Sequence, residues 1–311
     1  MKRFRFGVQA SGPTDAGDQW VEIARRAESL GYSSLLVPDH LDNDQFSPVV
    51  AMTAAAMATS TLRVGSLVFD NDYRHPVVLA REMATLDVIS QGRLEVGMGA
   101  GWRRSDYDQS GIVYDRPGIR IGRLSEALEI MSSMWRDGSA TFRGNHYIVE
   151  GAIGMPRPFS PNGPPLTIGG GGRKILELAS RHAQIVGINA SLTAGVINAD
   201  VVDSASPERF LERIEWVRQS SENRFDQIEL QCLTLVAQVV RNSYSWLSEV
   251  APAFGATAEQ AMETPIVLAG PVNEIIETLQ ARRERFGFSY WVIHQQEMED
   301  FAPVVAALDG K

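Results

Sequence analysis

Short runs of β-branched and other apolar residues alternate along the whole chain with stretches whose apolar positions recur at helical spacing. No other feature restricts the fold as strongly. The rhythm starts with a strand over 4–9 and a helix over 18–30, where Trp20, Ile23, Ala24, Ala27 and Leu30 share one face and Gly31 is the stop. It continues with strand 34–37 and helix 48–58, strand 62–69 and helix 77–90, then strand 93–98 and, after a long loop, helix 120–135. Residues 138–164 break the pattern. Phe142-Arg143-Gly144-Asn145-His146-Tyr147 reads as a small hairpin, and Pro156, Pro158, Pro161, Pro164 and Pro165 carry the chain over a surface, so this stretch is expected to be an insertion. The alternation resumes with strand 166–168 and helix 173–182, then strand 184–189 and a helix opened by Ser206-Pro207-Glu208, an N-cap followed by proline. Strand 228–240, helices near 245–254 and 272–286, strand 289–294 and a terminal helix complete it. Eight strands, each followed by helix, predict an α/β fold of the (β/α)8 TIM-barrel type over 1–311 as a single domain; an open doubly wound sheet is the alternative.

Composition narrows the partners. Hydrophobic residues make up 44% and charged residues 22%, as in a globular chain with a large core. The net charge of -9 and the lack of a basic run argue against nucleic acid and favour a small-molecule partner. Cys232 is the only cysteine, which excludes an intrachain disulfide and multi-cysteine metal sites. The N-terminus lacks a signal-like apolar core, and the longest apolar region, 49–58, is broken by Thr53, so no membrane span and a cytoplasmic location are expected.

In such a barrel, chemistry sits at the C-terminal ends of strands. Strand two ends in Val37-Pro38-Asp39-His40, a carboxylate beside an imidazole. This pair reads either as a proton donor or substrate contact or as a turn cap beside a surface or packing histidine. Strand three leads into Asp70-Asn71-Asp72-Tyr73-Arg74-His75-Pro76, a pocket lining or a solvated turn. Strand four ends in Gly97-Met98-Gly99-Ala100-Gly101-Trp102, whose glycine spacing does not fit a dinucleotide fingerprint. Strand five runs into Gly169-Gly170-Gly171-Gly172-Arg173-Lys174 at a helix start, where backbone amides attract phosphate; it is not a Walker loop. There is no serine-nucleophile elbow or zinc-protease motif, and Cys232 falls inside a strand pattern.

Together these stretches resemble the luciferase-like monooxygenase superfamily, in particular its F420-dependent oxidoreductase branch. The resemblance is carried by Val37-Pro38-Asp39-His40, Tyr73-Arg74-His75-Pro76, Ala84-Thr85-Leu86-Asp87, the run from Ser90-Gln91-Gly92-Arg93 to Gly101-Trp102, and Pro164-Pro165-Leu166-Thr167-Ile168 with its four glycines. It implies an oxidoreductase that moves a hydride between reduced coenzyme F420 and a small organic substrate. FMN, serving a monooxygenase, is the alternative cofactor, and a barrel that binds flavin without catalysis is a third reading. It further implies a homodimer and a separate enzyme that reduces the coenzyme. Carried over by position, Gly169, Gly170, Gly171 and Gly172 would hold the coenzyme phosphate. Leu67 and Val68, with a cis peptide near them, would back the ring, and Gly99 and Gly101 would follow the coenzyme tail. His40, oriented by or acting beside Asp39, would handle the proton. Gly92 and Arg93 look like scaffold. Trp102-Arg103-Arg104 departs from some members that carry Glu or Asn there, so a sugar-phosphate substrate is not carried over from such relatives.

Overall fold

A computed structural model describes residues 2–12, 16–41, 45–191 and 199–311. Eight parallel strands form its centre: β1 Arg5–Gln9, β2 Ser34–Val37, β3 Arg63–Ser66, β4 Leu94–Gly99, β5 Leu166–Gly170, β6 Ile185–Ile188, β7 Glu229–Leu233 and β8 Phe288–His294. Their order in the sheet is β3-β2-β1-β8-β7-β6-β5-β4, and β3 also pairs with β4 at Val64–Leu94 and Gly65–Glu95. The sheet therefore closes as a (β/α)8 barrel, as the alternation predicts, and the open sheet is excluded. Strands covered on both faces need near-continuous apolar runs. β2 and β4 are buried at every position, and β8 at all but its last.

The chain groups into two compact units: residues 1–10, 26–34 and 169–311, and residues 11–25 and 35–168. In the second unit, β3 does not run straight through to residue 69 as expected. It stops at Ser66, passes a cis peptide between Leu67 and Val68, and resumes as Phe69–Asp70 against Met98 and Gly99 of β4. The cis bond lies where the family resemblance puts it. The hairpin also forms, as Ser139–Arg143 against Ile148–Ile153. Its tip is held because the Glu126 carboxylate accepts the backbone N–H groups of Asn145, His146 and Tyr147 at 2.7, 2.9 and 3.0 Å. Downstream, buried Asp87 accepts the Ser160 N–H at 2.7 Å and fastens the proline-rich return.

In the first unit, the apolar run 228–240 splits. β7 ends at Leu233, and Val236–Val239 pairs instead with Val267–Gly270, a strand the sequence reading lacks. The switch occurs where the Thr234 N–H donates to Val292 and the Leu235 N–H donates to Ile266. No glycine or proline marks that turn, so the residue pattern alone reads as one strand. The helix expected after Ser206 is Pro207–Ser220, and the Ser206 side chain caps it by accepting the Arg209 N–H, a cap typically worth ~1 kcal/mol. Helix Ala258–Glu263, closed by a reciprocal Thr257–Gln260 capping box, is a further element that was not anticipated.

Candidate active site

The strand ends of the second unit carry a buried cluster of carboxylates, arginines and aromatic rings. Asp39, just past β2, is 4% exposed and takes both oxygens into a pair with the Arg74 guanidinium; it also accepts the Asp70 N–H at 3.1 Å. A carboxylate so occupied is a structural anchor rather than a free acid or base. His40 has a different partner from the one expected. Its Nδ1 lies 2.7 Å from Oδ2 of Asp106, whose Oδ1 accepts the Leu41 N–H at 2.9 Å. Asp106 is 1% exposed and is also hydrogen-bonded by the Tyr73 hydroxyl. The imidazole meets the Trp102 ring edge-on, with centroids 5.6 Å apart. With Nδ1–H directed at a carboxylate, Nε2 is the nitrogen left for other partners.

Behind this pair, Asp70 accepts the Asp72 N–H at 2.9 Å and the Tyr107 hydroxyl at 3.1 Å. Burial pushes the Asp70 carboxyl up to about 7. Burial and the neighbouring carboxylates push the Tyr73 and Tyr107 phenols well above their ordinary range, so both remain donors. Asp72 receives Arg123 through two bonds of 2.8 and 2.7 Å, and Arg123 also reaches Asp115 at 2.6 Å. The loop after β4 is fixed by Arg120, which donates to the carbonyls of Ala100 and Gly101 at 3.0 and 3.2 Å and lies over the Tyr114 ring.

The glycines of β4 serve this packing. A Cβ on Gly97 would fall 2.0 Å from the Ser66 carbonyl oxygen, and one on Gly99 would fall 2.6 Å from the Val68 side chain. At Gly101, where φ is +73°, a Cβ would strike the Tyr107 hydroxyl and Asp70. These residues are small because β3 and the carboxylate cluster press against them. Arg93 is scaffold in the same sense: its guanidinium donates to the carbonyls of Ser90, Leu62 and Ala56.

The first unit carries the glycine run. A Cβ on Gly170 would lie 2.3 Å from Ile175, and one on Gly171 would lie 2.4 Å from the Ala190 carbonyl oxygen, whereas one on Gly172 would meet none of the described residues within 4 Å. Gly172 is the N-cap of helix Arg173–His182 and offers no side chain to it. The first amides of that helix receive no side-chain cap from Gly172, and a helix start left in this way suits a phosphate. Buried Arg213 holds the loop by donating to the Gly171 carbonyl at 2.9 Å and to Ser204. Cys232 is fully buried, and burial pushes its thiol up to about 12, as suits an inert group.

Comparison with known proteins bears on the whole barrel, since the luciferase-like monooxygenase family matches residues 2–290. The chain belongs to that family. Within it, the chain is 26% identical over 318 residues to the F420-dependent glucose-6-phosphate dehydrogenase of Kineococcus radiotolerans, covering 98% of this chain and 88% of that one. The coenzyme F420-dependent tetrahydromethanopterin reductase from Methanopyrus kandleri has the same fold at a TM-score of 0.76 and 19% identity, covering 98% and 96% of the two chains. An F420-dependent secondary alcohol dehydrogenase, solved with an F420-acetone adduct, matches at a TM-score of 0.77 and 20% identity over 99% of each.

For this luciferase-like chain, Asp106, Arg120, Arg123 and Tyr107 are absent from the site read off the sequence, and Arg74 stands there only within a run read as pocket lining or solvated turn. Asp106 and Tyr107 lie on Arg104–Ser110, a helix of 7 residues inside what reads as a loop. One short helix with a single large apolar residue carries no detectable period. Gly111, the left-handed stop at its end, was the only available signal.

Proposed function

We propose that the chain is an oxidoreductase that uses coenzyme F420 to exchange a hydride with a small organic substrate, with His40 as its acid–base residue. The observation that carries this reading is the His40–Asp106 pair, because a buried carboxylate on Nδ1 fixes the ring and leaves Nε2 to take or give a proton. The names of the relatives support the choice of coenzyme. When bound, the reduced deazaflavin ring supplies a hydride. Hydride alone leaves negative charge on a reduced carbonyl or polarised double bond, and Nε2–H of His40 quenches it; in the oxidising direction neutral Nε2 accepts the alcohol proton. Asp106 stabilises the imidazolium in either direction. Trp102 walls one side of the imidazole and limits its water contact. The uncapped amides after Gly172 hold the coenzyme phosphate, and Arg213 keeps that loop in place. Reduced coenzyme then comes from a separate reducing enzyme in the cytoplasm.

The working unit is a homodimer. Helix Pro48–Ala58 has no charged residue yet leaves Val50 and Met57 about 70% exposed, and Val78 on helix Pro76–Ile89 is half-exposed. Apolar patches of this kind favour a second copy, and a monomer mass by sedimentation at micromolar concentration would remove this part of the proposal. Among the described residues no helix is long and apolar enough to cross a membrane. The main test is to titrate purified protein with F420 and with FMN, following absorbance, and then to measure single-turnover hydride transfer. F420 binding with transfer that fails in His40→Ala is expected. Tight FMN binding without F420 binding would move the chain to the monooxygenase reading, and coenzyme binding without turnover on any carbonyl or alcohol probe would favour the non-catalytic one.

A further inference from the structure

The first unit contains a cavity of about 530 Å³ that neither the His40 cluster nor the glycine loop uses. Its floor is Leu247, Ile266 and Val267, all buried, and Trp246 and Val250 form a wall. Leu235 and Phe254, 37% and 48% exposed, stand at its edge as large apolar side chains open to water. Several polar groups that reach the lining are already committed to the protein. Thr264 donates to the Ala205 carbonyl at 2.6 Å, Ser206 caps helix Pro207–Ser220, and Gln260 completes the capping box with Thr257. An occupant is therefore offered mainly apolar contact, with carboxylates at the rim. Among the described residues the charged side chains in the lining are Asp203, Glu208 and Glu263, and Arg285 lies 3.9 Å from Glu208, so the rim keeps a net negative charge. That sign repels anions and tolerates neutral or cationic molecules.

We propose that this cavity is a binding site for an apolar, non-anionic small molecule of the size of two or three fused rings. The volume lies in the range of pockets that enclose drug-sized ligands. Carboxylates at the rim set its selectivity, and an amine on the ligand would be favoured there. The proposal is independent of which coenzyme the enzyme uses.

The test uses two fluorescent probes of similar shape, neutral N-phenyl-1-naphthylamine and its anionic counterpart 8-anilinonaphthalene-1-sulfonate, on the full-length protein. The neutral probe is expected to bind saturably at micromolar concentration, at least tenfold tighter than the sulfonate. Ala256→Trp, which fills the cavity, should abolish the neutral probe's binding, and Glu208→Gln with Glu263→Gln should narrow the gap between the probes. A melting temperature within a few degrees of the parent identifies usable variants. Should Ala256→Trp prove unstable, Val250→Trp fills the same space from the wall. Absence of neutral-probe binding, equal binding to the filled and parent proteins, or tighter binding of the sulfonate would each overturn the proposal.

Discussion

The His40 cluster and the glycine loop solve opposite problems. The first is made of side chains: two buried aspartates, Asp39 and Asp106, are consumed in holding Arg74 and His40 within a dense network. The second is made of backbone, and its important residue, Gly172, contributes no side chain, and a Cβ there would meet none of the described residues within 4 Å. A site built from side chains fails when one partner is removed, because the other is left buried and unpaired. A site built from backbone fails when something is added. Deletion and insertion should therefore have opposite diagnostic value in the two regions.

The largest effect is expected at His40. His40→Ala should slow single-turnover hydride transfer by ~10² to 10⁴, the range for losing a general acid–base group, while coenzyme affinity measured by absorbance changes less than about threefold. Asp106→Asn should give part of that loss and shift the pH–rate profile, because an amide neither fixes the Nδ1–H tautomer nor stabilises imidazolium as a carboxylate does. Normal turnover with impaired binding in His40→Ala would assign the ring a packing role instead, and the comparison would lose its catalytic half.

What the sequence revealed follows the same division. The barrel was legible because eight buried strands demand apolar runs and their helices demand period, and both survive in the residues from Arg5 to Leu308. The glycine loop was legible as a motif, but its physical reason was only partly so. Four glycines suggest room for a ligand, whereas Gly170 and Gly171 give way to Ile175 and Ala190. In the other cluster, Asp39 and His40 stood out as neighbours in sequence, yet neighbours on an extended segment point apart. Each found its partner 35 to 66 residues away, in Arg74 and Asp106. No local pattern encodes such long-range pairing.

A second effect, of a few kcal/mol, concerns the carboxylate behind the pair. Burial raises Asp70 from 3.8 to about 7 in the folded protein, so between these values the native state holds a proton that the unfolded chain has released. Stability from this group is full below about pH 4, declines as pH rises, and is lost once pH passes about 7. Urea midpoints should therefore fall from pH 5 to pH 8 in the parent. Asp70→Asn keeps an oxygen for the Asp72 N–H and Tyr107 and should flatten that fall. An unchanged slope would mean that Asp70 is ionised in the folded state throughout.

The smallest effect separates two adjacent glycines. At Gly172 the backbone has φ -104° and ψ 154°, a region open to any L-residue, and a Cβ meets none of the described residues within 4 Å. Gly172→Ala should leave the fold intact and even raise stability by about 0.4–1 kcal/mol, because alanine lowers the entropy of the unfolded chain. Gly172→Val should keep the fold and weaken coenzyme binding by tenfold or more, ~1.4 kcal/mol, by occupying the space in front of the helix amides. Gly171→Ala reverses the pattern. Its Cβ, 2.4 Å from the Ala190 carbonyl oxygen, forces the backbone to move and strains the Gly171 carbonyl that Arg213 holds. Its unfolding midpoint should drop, with coenzyme affinity falling only as a consequence. The decisive measurement pairs urea unfolding without coenzyme with an absorbance titration on the same samples. If Gly172→Val binds coenzyme as the parent does, the phosphate does not sit at this helix, and the run of glycines exists for packing alone.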